Sequence, residues 1–216
     1  MPIPATMTMA SHIVFVVDDD FRVREAVLEL LASAGFNAIA FESGAEYLAF
    51  EQPELPSCLI LDVELNDMNG IDLQRQIADD CHPPIVFITG HGDIPSTVRA
   101  MKAGAVDFLT KPFSQQQLLK AVETSFEQDR KARSERAELK QLRQRLASLT
   151  PREREVLPLV ISGLLNKQAA AQLGISEITL QIHRSKVMQK MAAQSLAELV
   201  RMATKLEIPL TAGRHS

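Results

Sequence analysis

The sequence predicts two domains: an α/β domain on a five-stranded, doubly wound parallel sheet, then an all-α domain of four helices, joined by a charged helical linker. Three observations carry this. Five short apolar runs alternate with amphipathic stretches through the first half. From about residue 128 to 145 the composition turns to Arg, Lys, Glu, Gln and Ala, without Gly or Pro. Beyond Leu149 every segment carries helical periodicity with a start or stop signal. A chain of 216 residues, 46% of them apolar, has room for two cores. The boundaries fall at 11–125, 126–148 and 149–206.

The elements follow in order. HIVFVV (12–17) is a buried strand bounded by three Asp residues. A helix puts Val23, Val27, Leu30 and Leu31 on one face and stops at Gly35. NAIAF (37–41) and CLILD (58–62) are the second and third strands, with a short helix Ser43–Phe50 between them. A helix from Gly70 to Ala78 precedes PIVFITG (84–90), the fourth strand. Residues 95–102 are helical, AVDFLT (105–110) is the fifth strand, and a helix begins near Ser114. In the linker, Leu139, Leu142, Leu146 and Leu149 form a stripe that is either a short coiled-coil seam or packing against one domain.

Thr150-Pro151-Arg152-Glu153 is a capping box with Pro at the first helical position. That helix ends at Gly163, and Pro158 inside it predicts a kink or an irregular turn. Asn166 is read as the cap of a second helix stopped by Gly174. Ser176 caps a third helix through about Met191, and Ser195 a fourth through about Lys205. The Gly-containing turn between the second and third is a helix-turn-helix connection.

Composition narrows the setting. Cys58 and Cys81 are the sole cysteines, too few for a disulfide framework or a structural zinc site, so a reducing cytoplasm is expected. MPIPATMTMA lacks a basic start and a long apolar run, so neither signal peptide nor membrane span is expected. The net charge of -4 hides an asymmetry: residues 1–124 sum to -11, 125–149 to +3 and 150–216 to +4. An acidic front suits a metal or phosphoryl site, and a basic back suits a polyanion.

Asp18 and Asp19 follow the first strand, Asp62 ends the third, Thr89 ends the fourth and Lys111 follows the fifth. In a parallel sheet those ends share one edge, so these residues converge. Clustered carboxylates stay ionised together when a cation neutralises them, and an all-oxygen cluster suits Mg²⁺. An aspartate so placed can attack phosphorus to give an acyl phosphate, with Thr89 and Lys111 stabilising the phosphoryl oxygens.

VVDDD, LILDVEL, FITGHGD and DFLTKPF resemble the signature segments of receiver domains, over essentially all of residues 11–125. The resemblance implies a flavodoxin-like sheet with Asp62 phosphorylated by a sensor histidine kinase. It implies Mg²⁺ held by Asp19, Asp62 and the Glu64 backbone carbonyl, with Asp18 acting through water. Thr89 would be the switch hydroxyl, Phe108 the switch aromatic and Lys111 the phosphate-binding lysine, with Lys111–Pro112 cis. One departure stands out: where the family usually has Pro-Gly after the acceptor, this chain has Asn66-Asp67, which bears on phosphate lifetime.

A helix entering the major groove needs exposed polar and basic groups on one face. The third C-terminal helix offers Gln181, His183, Arg184, Ser185, Lys186 and Lys190; Ile178, Ile182, Val187 and Met191 are read as its packing side, although Ile182 also suits the groove. The segment from about 149 to 205 resembles the LuxR-type helix-turn-helix of NarL/FixJ regulators, and in detail the FixJ-like subgroup. That implies groove contacts from Gln181, Ile182 and Ser185, and phosphate contacts from Asn166, Lys167, Thr179, Arg184, Lys186 and Lys190. The last helix resembles a dimerisation helix.

The combined expectation is a cytoplasmic, phosphorylation-switched transcription factor. It would dimerise on phosphorylation, bind promoter double-stranded DNA, engage RNA polymerase as an activator, touch no membrane, and catalyse only its own phosphoryl uptake and loss. Two alternatives differ in kind. A phosphatase of the haloacid-dehalogenase kind needs a second Asp two residues after the nucleophile, where Glu64 stands. A receiver that has lost phosphorylation control would bind DNA constitutively or serve as a docking module.

Overall fold

A computed structural model describes residues 12–77, 82–90 and 94–210. The N-terminal leader reading, Cys81, Ala78 and the His91–Asp93 part of FITGHGD lie outside them. The chain divides into two compact units, Met1–Arg133 and Ser134–Ser216.

The first unit holds β1 (Ile13–Val17), α1 (Phe21–Ser33), β2 (Ala38–Phe41), α2 (Gly44–Ala49), β3 (Ser57–Asp62), α3 (Gly70–Gln76), β4 (Ile85–Thr89), α4 (Ile94–Lys102) and β5 (Asp107–Thr110). All pairings are parallel, in the order β2-β1-β3-β4-β5. Strand side chains alternate between faces, so the sheet carries two cores. Phe15, Val17, Leu59, Leu61 and Phe87 point to one, with Tyr47 and Leu73. Val14, Val16, Ile60, Val86 and Ile88 point to the other, with Val27, Leu31, Leu118 and Val122. Burial on both faces explains why these strands read as continuous apolar runs.

The fifth strand is shorter than its apolar run, because Ala105 and Val106 precede the ladder. The helix expected near Ser114 and the linker form one element, α5 (Gln115–Ala147), and the boundary between the units falls inside it. Asp129 on α5 is buried, accepting from the Ser57 amide at 2.8 Å and the Arg133 Nε at 2.7 Å. This satisfies an amide at the start of β3, at the opposite end of the strand from Asp62.

The second unit continues with α6 (Pro151–Ile161), α7 (Asn166–Leu173), α8 (Glu177–Met191) and α9 (Leu196–Lys205). Its core gathers Leu149, Val156, Leu157, Val160, Leu180, Val187, Met191 and Leu199, with Leu146 packed against it. The leucine stripe therefore serves packing on this unit at Leu146 and Leu149. The capping box is present: the Thr150 amide donates to Glu153 Oε2 at 2.8 Å, and the Glu153 amide donates to Thr150 Oγ1. Of the kink or irregular turn expected at Pro158, the irregular turn does not occur: α6 runs through Pro158 as one continuous helix, since proline removes a single N–H, and Ser162 still donates to the Pro158 carbonyl at 3.1 Å. Asn166 is not the cap of α7. Leu165 occupies that position and its amide is satisfied by Gln168 Oε1 at 3.0 Å. Among the described residues no helix is long and apolar enough to cross a membrane.

Candidate functional site

The sheet order reverses between β1 and β3, and there the predicted groups meet. Val17 pairs with Leu61, so the ends of these strands are level and Asp18, Asp19 and Asp62 emerge side by side. The Val63 amide donates to the Ile88 carbonyl at 3.1 Å and the Lys111 amide to the Thr89 carbonyl at 2.7 Å, which carries the same edge across to β5. The Lys111–Pro112 bond is cis.

Lys111 Nζ lies 2.6 Å from Asp18 Oδ2 and 2.6 Å from Asp62 Oδ2. Asp18 Oδ1 accepts from the Asp20 amide at 2.9 Å, and Asp62 Oδ1 from the Glu64 amide at 3.1 Å. Burial pushes the Asp18 carboxyl above its ordinary value, further than the hydrogen bond from Lys111 draws it down. Burial works against charge on Lys111 as well, but its hydrogen bonds to Asp18 and Asp62 outweigh that and raise its pKa. Carboxylate oxygens of Asp18, Asp19 and Asp62 lie within 4.8 Å of one another. The Lys111 ammonium bonds two of these three carboxylates, and among the described residues their all-oxygen donor set fits a hard divalent cation.

Thr89 is fully buried at the end of β4. Phe108 is half-buried, its ring 6.0 Å from that of Phe87. Gly70 sits so close to the acceptor loop that a Cβ there would lie 2.2 Å from the Asp62 carbonyl oxygen. Asp67, one of the two residues that depart from the receiver pattern, accepts from the Gly44 amide at 3.3 Å and the Ala45 amide at 3.0 Å. It thereby adds to the Ser43 cap of α2, whose Oγ accepts from the Glu46 amide at 3.1 Å, from a loop more than twenty residues away, while the Met68 side chain packs on Gly44 and would have to shift for a Cβ there. Sequence reasoning noticed Asp67 as a departure and missed this contact, because no local pattern announces a cap donated from so far along the chain.

In the second unit Gly174 adopts a left-handed conformation (φ 64°) and turns the chain into Ser176, whose Oγ accepts from the Thr179 amide at 3.1 Å. Lys167, Gln181, Ser185 and Lys186 are exposed. Thr179 Oγ1 lies 2.8 Å from Ser176 Oγ, within the cap. Asn166 Oδ1 accepts from Arg184 Nη1 at 2.9 Å, joining two of the predicted phosphate contacts to each other across α7 and α8. Lys190 differs from the rest: its Nζ donates to Glu153 Oε2 at 2.7 Å and to the Ser148 carbonyl at 3.1 Å, so it is engaged in holding α8 to α6. That hydrogen bond, first among several, holds the Glu153 carboxyl down to about 2. Ile178, expected on the packing side with Ile182, is instead 72% exposed, and Ile182 is 51% exposed. The buried face belongs to Leu180, Val187 and Met191, which fall on the opposite side of the helix.

Comparison with known proteins agrees with both halves. Residues 14–123 match the response regulator receiver domain, and residues 147–203 match the bacterial regulatory proteins of the luxR family. The chain is 51% identical to Nodulation protein W of Bradyrhizobium diazoefficiens (strain USDA 110), over 94% of this chain and 90% of that protein. It is 41% identical to the transcriptional regulatory protein FixJ of Rhizobium meliloti (strain 1021), over 90% of this chain and 96% of FixJ. Among solved structures, the response regulator StyR superposes with a TM-score of 0.79 at 50% identity, covering 91% of this chain and all of that one. The chain belongs to the two-component response regulators that regulate transcription by joining a receiver domain to a LuxR-type DNA-binding domain.

Proposed function

We propose that Asp62 accepts a phosphoryl group from a sensor histidine kinase and that this switches the chain toward a promoter-binding dimer. The single observation that carries this is Lys111 Nζ at 2.6 Å from both Asp18 and Asp62 on the carboxyl edge of the sheet. One oxygen of Asp62 attacks phosphorus as the phosphorus–nitrogen bond to the kinase histidine breaks, leaving an acyl phosphate on Asp62. Asp19, Asp62 and the Glu64 carbonyl would hold Mg²⁺, with Asp18 acting through water; bound there, the cation supplies charge neutralisation for the phosphoryl oxygens. Lys111, freed from one carboxylate, pairs with a phosphoryl oxygen. The Thr89 hydroxyl turns toward the new group, which adds about 1.5–2 negative charges, and Phe108 turns inward beside Phe87.

That movement reshapes the face of α4 and β5. Ile94, Val98 and Met101 lie exposed at i, i+4 and i+7 on α4, an apolar stripe suited to a second copy of the chain. The dimer then presents two copies of α8 to a promoter in the cytoplasm, where the chain acts as an activator with RNA polymerase. Catalysis of its own phosphoryl uptake and loss is the only chemistry assigned to it.

Incubation with acetyl phosphate and Mg²⁺ tests the acceptor. Wild type is expected to gain one phosphoryl group that hydroxylamine removes, as an acyl phosphate requires. Retention of full labelling in Asp62→Asn would overturn the assignment.

A further inference from the structure

Ile178, Gln181, Ile182 and Ser185 are all exposed and recur at i, i+3, i+4 and i+7 on α8, so they form one outward stripe along its first two turns. Ile178 and Ile182, 72% and 51% exposed, lie one turn apart and form a contiguous apolar surface of the kind that marks an interaction site, while the core of this unit uses the opposite face of α8. The flanks state what kind of surface covers it: Lys186 lies beside the stripe on α8, Lys167 is exposed on α7, and Arg184 is fixed through Asn166. A cationic frame around an apolar stripe at the start of a recognition helix matches the major groove, where phosphates flank base edges. Thymine is the base that presents a methyl group there, and the side chain of Gln pairs with adenine.

We propose that Ile178 and Ile182 determine sequence specificity by covering two thymine 5-methyl groups in each half-site, on either side of an adenine read by Gln181. The proposal rests on the DNA-binding reading above and deepens it. Ile178, in the first turn of α8, extends the reading surface beyond the groove contacts that the family resemblance implies.

The test uses the full chain treated with acetyl phosphate and Mg²⁺, and a randomised duplex library from which bound sequences are selected. The selected duplex is then remade with uracil in place of thymine at single positions, which removes only the methyl. Wild type is expected to lose about fourfold in affinity at each of two positions, the scale of one buried methyl-sized group. Ile178→Ser should be indifferent to uracil at one of them and Ile182→Ser at the other. Selective binding by wild type with no response to uracil anywhere would overturn this proposal and leave the DNA-binding reading intact. Binding with no sequence preference would overturn both. If Ile178→Ser changes the sedimentation of the protein while uracil has no effect, the stripe belongs to a second copy of the chain, and the proposal fails. Should a serine variant unfold, the uracil series on wild type still decides the matter.

Discussion

The two functional regions are built in opposite ways. At the sheet edge, Asp18, Asp62, Thr89 and Lys111 come from separate strands, are largely buried, and are bonded to one another or to backbone. On α8, Gln181, Ile182 and Ser185 come from a single helix and are exposed. A site of the first kind is part of the fold, and altering it changes stability and chemistry together. A site of the second kind is carried by a fold held elsewhere, so its contacts can change while the helix stands.

Lys111→Met should break the comparison most visibly at the buried end. It leaves Asp18 and Asp62 facing each other without their shared cation, and removing one partner of a buried pair costs about 3 kcal/mol. Urea unfolding should show that loss, and added Mg²⁺ should restore part of it. Insensitivity to Mg²⁺ would mean that the three carboxylates do not form a cation site.

Asp67→Ala tests a smaller element of the same region. It removes the acceptor for the Gly44 and Ala45 amides while the Ser43 cap stays, and loss of these hydrogen bonds costs about 1 kcal/mol. The lifetime of the acyl phosphate should change with it, because the loop from Asp62 to Gly70 loses its anchor on α2. An unchanged lifetime would confine Asp67 to a structural role.

The second unit has its own ionic anchor, Glu153 with Lys190. Glu153 has a carboxyl pKa depressed from 4.5 to about 2, so its stabilising contribution is full above the unfolded value and is lost as pH falls toward 2. Thermal unfolding of wild type and Glu153→Gln should therefore differ at pH 6 and converge as the pH drops through that window. A gap that stays constant with pH would show that charge on Glu153 is not what matters.

Gln181→Lys should have the smallest effect on stability, within about 0.5 kcal/mol. Its consequence appears in binding: if the new ammonium reaches a phosphate, the slope of log affinity against log salt steepens by about 0.9 per subunit. A marked loss of stability would contradict the separation of recognition from folding on α8.

The same contrast explains what was legible in the sequence. The order of strands and helices could be read because strands buried on both faces are short apolar runs with turn residues between them. The acceptor constellation was readable because each member ends a strand, and parallel strands bring their ends together. Caps with Ser or Thr, at Thr150, Ser176 and Ser195, announced themselves by spacing and are present. Asn166 misled because its residue type suits a cap, whereas its carboxamide is used by Arg184 eighteen residues away. Ile178 misled because an apolar residue on an amphipathic helix reads as core, and only the packed structure shows which face the core takes. Lys190 reads as a basic contact on α8, yet a tertiary partner, Glu153, engages it.

The most direct test of the account compares wild type with Asp62→Asn for size and promoter-DNA binding, each with and without acetyl phosphate and Mg²⁺. The account predicts that wild type alone dimerises and gains DNA affinity on treatment. Equal DNA binding by both proteins, with neither responding, would contradict it and leave the sheet-edge site without control over the helix that reads DNA.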